Sequence, residues 1–123
     1  MPENARVIIV EDEPDWQELA ADFITDAGHS VVGSALNIDA ARLLIHAIAK
    51  GEIEADVVVL DGNLTRRSDG TEAHIVCETI QQTGALLKVV GFSGSPMSDY
   101  DLTVDADVTK RYPERLGQAI TDL

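Results

Sequence analysis

The sequence has little of what marks a secreted, membrane-spanning or nucleic-acid-binding protein. Its single cysteine, Cys77, cannot form an internal disulfide, which favours a reducing compartment. No apolar run approaches the roughly 18 residues of a membrane span, and residues 1–6 lack the pattern of a signal peptide. Only 9 basic residues stand against 22 acidic ones, and the formal charge of −13 disfavours nucleic acids. We therefore expect a cytoplasmic protein without a membrane or nucleic-acid partner.

Length and composition indicate a single soluble globular domain. The chain has 123 residues, of which 45% are hydrophobic and 25% are charged, as is usual for such domains. No linker-like stretch and no internal repeat divides it. The expectation is one domain over residues 1–123, standing alone without an effector domain.

Short β-branched runs alternate with longer stretches of helical period. Strands are predicted over five segments: 6–10, 29–33, 55–60, 86–92 and 105–109. Helices are predicted between them, the second with an apolar face formed by Ala40, Leu43, Leu44, Ala47 and Ile48, and a short last helix is predicted over 113–121. Between Pro96 and Val104 there is room for only about two helical turns, so the fourth helix should be short. This alternation predicts an α/β fold with a doubly wound parallel sheet.

Polar side chains follow several of the predicted strands. Glu11 and Asp12 come directly after the first strand and Asp61 after the third, while Ser93 follows the fourth and Lys110 the fifth. Because ligands of such sheets bind at the carboxyl ends of the strands, we expect these groups to converge. Two carboxylates about 4 Å apart repel by about 4 kcal/mol near a protein surface, so three favour a bound cation. The set suits Mg²⁺ and a phosphoryl group.

Taken singly, these residues also have ordinary structural explanations. Lys110 fits a surface lysine, Ser93 a turn or a helix cap, and the Glu11–Asp12 pair the start of a helix. Asp61 is harder to explain in this way, since an acid after four buried aliphatic residues is costly without partners. The three histidines lack metal-ligand spacing and are predicted at the surface or its boundary: His29, His46 and His74.

The polar residues and their flanking strands resemble a known family. The segments Val7–Pro14 and Val57–Asn63, followed by Ser93 and Lys110, are similar in order to the receiver domain of response regulators in bacterial two-component signalling. The resemblance covers essentially the whole chain. It implies a flavodoxin-like fold with five parallel strands in the order 2-1-3-4-5 and helices on both faces.

The resemblance also implies a role for each matching residue. Asp61 is similar to the phosphoacceptor, which takes a phosphoryl group from a phosphohistidine on a sensor histidine kinase or a histidine phosphotransfer protein. Ser93 and Lys110 match the hydroxyl and the ammonium that contact the transferred group. Mg²⁺ would be held by Glu11, Asp12, Asp61 and the backbone carbonyl of Asn63. A receiver catalyses its own phosphorylation and dephosphorylation and is not otherwise an enzyme.

Some positions depart from the usual receiver pattern. Asp107 stands three residues before Lys110, where the family commonly has an aromatic side chain, and the proline that usually follows the lysine comes only at Pro113. These departures motivate an alternative, a degenerate receiver acting as a phosphorylation-independent protein-interaction module. A phosphohydrolase with Asp61 as nucleophile is disfavoured, because Asn63 replaces the second acid and no cap domain exists.

Overall fold

A parallel β-sheet forms the centre of the molecule. The computed structural model describes residues 4–62 and 71–123. Within them the strands are β1 (Arg6–Val10), β2 (Ser30–Ala35), β3 (Val57–Leu60), β4 (Lys88–Ser93) and β5 (Ala106–Thr109). Their order is β2-β1-β3-β4-β5 and every neighbouring pair is parallel. The predicted fold class and strand order are confirmed.

Helices cover both faces of the sheet. The described residues contain α1 (Pro14–Asp26), α2 (Ile38–Ala49), α3 (Thr71–Thr83) and α4 (Leu116–Thr121). Pro14 occupies the first turn of α1, where its missing N–H costs nothing, and Asn37 Oδ1 accepts the Ala40 N–H at 2.9 Å to cap α2. Gly28 follows α1 with a φ of 90°, a conformation that favours glycine. None of these described helices combines the length and hydrophobicity that crossing a membrane requires.

The segment between β4 and β5 is short, as predicted. It contains one turn of 3₁₀ helix, Met97–Tyr100, which we call the 3₁₀ segment, in place of a full fourth helix. A second 3₁₀ turn, Pro113–Arg115, leads into α4, where the sequence predicted one continuous helix over 113–121.

Several strand boundaries differ from the prediction. β3 begins at Val57 and β5 at Ala106, later than the predicted starts at 55 and 105. β2 begins at Ser30 and continues to Ala35, two residues beyond the predicted end. β4 begins at Lys88, and Leu86 is 92% exposed. The Leu87 N–H donates to the Ala85 carbonyl at 3.1 Å, so a local turn takes the backbone group that the predicted strand would have used.

Alternate residues of the central strands supply two separate hydrophobic cores. Ile8 and Val58 point toward α2 and α3, where they pack with side chains such as Ile45 and Val76. On the other face, strand and helix residues pack against one another with α1 and α4: Val7, Ile9, Val57, Val59, Phe92, Ile24 and Leu116. Because both faces are buried, the strands read as continuous apolar runs.

Candidate functional site

The register of β1 and β3 places two acidic residues side by side at the carboxyl edge, the edge of the sheet where the strands end. Val10 and Leu60 are paired across these strands, so Glu11 and Asp61 both follow at this edge. The Asp61 N–H donates to the Val10 carbonyl at 3.1 Å, which fixes its backbone. Glu11 is 1% and Asp61 4% exposed. Two ionisable carboxyl groups therefore lie almost entirely out of water.

The pairing of β4 with β5 brings a lysine to the same place. Ser93 pairs with Thr109, and the next residue, Lys110, donates its backbone N–H to the Ser93 carbonyl at 2.8 Å. Lys110 Nζ lies 2.8 Å from Glu11 Oε2 and 3.2 Å from Asp61 Oδ2. The side chain of Lys110 is 13% exposed, so both ion pairs are shielded from water. Ser93 is the last residue of β4 and is buried, so it lies at the same edge of the sheet.

The three acids that the sequence singled out form one cluster. Glu11, Asp12 and Asp61 each offer a carboxylate oxygen, and these atoms lie within 4.8 Å of one another. Carboxylate oxygens at this spacing are the donors that Mg²⁺ accepts in proteins. Asn63 lies outside the described residues, so its predicted carbonyl ligand stays a prediction.

Burial makes the negative charge of this cluster costly. The pKa of Glu11 is raised to about 8, chiefly by desolvation; the charge of Asp61 contributes to the rise and Lys110 opposes it. Burial by itself would lower the pKa of Lys110, but its bonds to Glu11 and the charge of Asp61 outweigh this and raise it. The ammonium thus keeps its charge, and the acids favour additional positive charge. The donor set therefore fits a divalent cation.

Two aromatic side chains near Lys110 were not assigned to the site from the sequence. Lys110 Nζ lies 5.0 Å from the centroid of the Trp16 ring and 5.9 Å from that of Phe92. Trp16 lies in α1 and Phe92 in β4, and nothing in their sequence spacing indicates a contact with a lysine on another strand. Side-chain packing between α1 and the sheet brings the rings close to Lys110.

Asp107, at the position usually aromatic in receivers, makes a backbone hydrogen bond. Its Oδ2 accepts the Met97 N–H at 2.9 Å and so caps the start of the 3₁₀ segment. At the other end of that segment, His74 Nε2 lies 2.5 Å from the Tyr100 carbonyl oxygen. The 3₁₀ segment is therefore tied both to β5 and to α3.

Known structures share this architecture. The receiver domain of the response regulator NarL from Mycobacterium tuberculosis superposes with a TM-score of 0.76 at 21% identity, over 98% of this chain and 96% of that one. A LuxR-family two-component response regulator from Aurantimonas gives a TM-score of 0.72 at 25% identity, over 97% and 84%. The PhyR receiver domain from Erythrobacter litoralis gives 0.71 at 20% identity, over 97% and 88%.

Comparison of the amino-acid sequence alone does not assign the chain to a family. No protein-family model matches the chain, and no curated protein matches it in sequence. The likeness rests on the whole course of the backbone, which is shared over nearly the full length of the described neighbours. The chain therefore has the fold of response regulator receiver domains, the fold that its sequence resemblance predicted.

Proposed function

We propose that this chain is a phosphorylatable signalling switch or phosphorelay carrier. Asp61 accepts a phosphoryl group from a phosphohistidine of a sensor histidine kinase or a histidine phosphotransfer protein. The observation that carries this proposal is the position of Lys110 Nζ, 2.8 Å from Glu11 Oε2 and 3.2 Å from Asp61 Oδ2. A buried carboxylate beside an ammonium is equipped to receive and hold a phosphoryl group, and Ser93 ends the neighbouring strand at the same edge.

The transfer needs an oxygen nucleophile and positive charge around the phosphoryl oxygens. A carboxylate oxygen of Asp61 attacks phosphorus while the P–N bond of the phosphohistidine breaks, which leaves an acyl phosphate on Asp61 and returns the imidazole. Lys110 and the Ser93 hydroxyl then contact phosphoryl oxygens. Hydrolysis by water restores the carboxylate and releases phosphate. In this scheme the chain modifies itself and turns over no metabolite.

Mg²⁺ is the cofactor that the acidic cluster supports. Glu11, Asp12 and Asp61 would hold it, together with the Asn63 carbonyl. When bound, it neutralises negative charge on the phosphoryl oxygens and on the acids. The raised pKa of Glu11, about 8, supports the need for such a cation.

A second candidate function is a phosphorylation-independent interaction module. It is favoured by Asp107, whose carboxylate binds the Met97 N–H at 2.9 Å, so the position has no aromatic side chain to reorient. Such a module would not need Mg²⁺. Calorimetric titration with Mg²⁺ therefore separates the two functions, since the interaction module should show no affinity at physiological concentrations.

Replacing the proposed phosphoacceptor should abolish phosphorylation. With acetyl phosphate and Mg²⁺, we expect the native chain to gain the mass of one phosphoryl group and Asp61→Asn to gain none, because the amide is not a nucleophile. Intact-mass spectrometry measures both. Asp56→Asn is the matched control, since Asp56 pairs with Arg6 at the opposite end of the sheet. Phosphorylation that persists in Asp61→Asn would exclude Asp61 as the acceptor.

A further inference from the structure

Lys110 is enclosed by aromatic rings as well as by carboxylates. Its Nζ lies over the Trp16 ring at 5.0 Å from the centroid and over the Phe92 ring at 5.9 Å. The two rings meet edge to face, with centroids 5.8 Å apart and planes inclined by 80°. A cation within about 6 Å of a ring centroid is attracted to the ring face. The ammonium therefore has two kinds of partner, carboxylates and aromatic rings.

The position of Trp16 is fixed by the start of α1. Gln17, its neighbour, donates from Nε2 to the Ala35 carbonyl at 3.0 Å and to the Glu11 carbonyl at 3.3 Å. These bonds hold the first turn of α1 against β1 and β2 at the carboxyl edge. Phe92, fully buried in β4, meets the indole edge to face. The ring therefore has a packing partner besides Lys110.

The contact between Lys110 and the aromatic rings becomes important when Glu11 and Asp61 bind a cation. Glu11 and Asp61 belong to the acidic cluster, so a cation bound there would draw their oxygens away from Lys110. The attraction of the rings would remain. A lysine without that support regains rotamer freedom, which must be restricted again before its ammonium can contact a phosphoryl oxygen.

We propose that Trp16 is a positioning residue, whose ring holds the Lys110 ammonium at the carboxyl edge so that it can contact a phosphoryl oxygen on Asp61. The inference rests on the proposed function for its role in transfer. The contact between Trp16 and Lys110 itself does not depend on that function, and it is tested separately.

The first measurement uses the unphosphorylated chain. Lysine is present at only three positions, Lys50, Lys88 and Lys110, so selective ¹³C labelling gives a simple spectrum. Lys50 and Lys88 are exposed and serve as internal references. The ε-methylene protons of Lys110 should resonate upfield because of the Trp16 ring current. The upfield shift should be kept in part in Trp16→Phe and lost in Trp16→Leu.

The second measurement is the rate of phosphorylation by acetyl phosphate with Mg²⁺. Trp16→Leu should lower the rate at saturating donor by about fivefold to tenfold, as loss of about 1–1.4 kcal/mol implies, with the donor KM unchanged. Trp16→Phe should restore most of the rate, since a ring face is present again. Phe23→Leu is the matched control, an aromatic residue of the same helix that packs in the core and should leave the rate unchanged.

The outcomes separate the two proposals. If the native chain is phosphorylated but Trp16→Leu reacts as fast, or if Trp16→Phe loses as much rate as Trp16→Leu, Trp16 is not a positioning residue while the proposed function stands. Absence of the upfield shift in the native chain overturns the contact and the proposal with it. If the native chain takes no phosphoryl group, the proposed function fails, and Trp16 has no role in transfer even where the shift is present.

Discussion

Asp56 binds the residue that begins β1, at the opposite end of the sheet from the acidic cluster. Its Oδ2 accepts the Arg6 backbone N–H at 2.8 Å and the Arg6 Nε–H at 3.2 Å, and its Oδ1 lies 3.2 Å from Arg6 Nη2. These bonds lower the pKa of Asp56 below its ordinary value of 3.8, although partial burial opposes them. The carboxylate thus joins the first residues of two neighbouring strands.

The stability that Asp56 contributes should depend on pH. Because its folded-state pKa is depressed, the contribution is present above the unfolded pKa and is lost as pH falls through the folded one. We expect Asp56→Asn to lower the free energy of unfolding by about 1 kcal/mol at neutral pH, since the pair is partly exposed. The difference from the native chain should shrink below pH 3.8. Urea unfolding at several pH values measures this, and a difference independent of pH would contradict the ionic contribution.

The burial of a single residue was harder to predict than a strand, because its hydrogen-bond partners can lie far away in the sequence. His29 was predicted at the surface or its boundary, but it is buried at 3% exposure, so this prediction was wrong. Its Nδ1 accepts the Ala5 N–H at 3.0 Å and its Nε2 lies 2.9 Å from Thr121 Oγ1. Thr121 is 92 residues away, so no local pattern indicates that this imidazole has two hydrogen-bond partners.

At the scale of elements, the 3₁₀ segment packs directly against the residue after the proposed phosphoacceptor. A Cβ on Gly62 would lie 2.6 Å from Tyr100 Cε2 and 3.0 Å from Met97 Sδ. Met97 is fully buried, and its side chain also fills the space above Gly91. Glycine at these two positions lets the shortened segment approach β3 and β4 closely.

Filling that space should destabilise the chain through Tyr100. We expect Gly62→Ala to lower the free energy of unfolding by about 2 kcal/mol, because the added methyl group displaces the ring. In Gly62→Ala/Tyr100→Ala the ring is absent, so the combined loss should be smaller than the sum of the two single losses. Gly94→Ala is the matched control, since a Cβ there meets no atom within 4 Å. Urea denaturation measures all four variants, and additive losses would contradict the contact.

In α2, the spacing of apolar residues correctly predicted a helix, but it did not predict which face of the helix is buried. The prediction placed Leu43 on the apolar face, but this side chain is 73% exposed, whereas Ala41 and Ile45 are fully buried. Leu43 and Leu44 are adjacent, so two overlapping apolar stripes fit the same sequence. The structure buries the stripe through Ala41 and Ile45, with Leu44 half-buried beside it. The apolar periodicity is sufficient to predict the helix, whereas packing against β2 and α3 selects which face is buried.

In the molecule as a whole, the topology was the most predictable property. Alternating strands and helices imply a parallel sheet, and a parallel sheet brings all carboxyl ends to one edge. That rule was sufficient to expect Lys110 near Asp61. The two residues are 49 positions apart in the sequence, and Lys110 Nζ lies 3.2 Å from Asp61 Oδ2. The aromatic rings over Lys110 and the cap at Asp107 depend on side-chain packing, which follows from no rule of topology.

The net charge of −13 and the acidic cluster together predict a specific response to Mg²⁺. Any salt screens the repulsion among the acids, so stability should rise in NaCl, but a cation bound only by the folded chain stabilises further. At a Mg²⁺ concentration 100 times the Kd, the gain is about 2.7 kcal/mol. Thermal unfolding in MgCl2 and in NaCl of equal ionic strength measures the difference.

Two matched substitutions show where this specific gain arises. Asp12→Asn should abolish most of the excess of MgCl2 over NaCl, because it removes one carboxylate of the cluster. Asp56→Asn makes the same chemical change at the other end of the sheet and should preserve the excess. If the two salts raise Tm equally in the native chain, the acidic cluster binds no Mg²⁺. In that case the phosphorylation-independent interaction module becomes the better account of this chain.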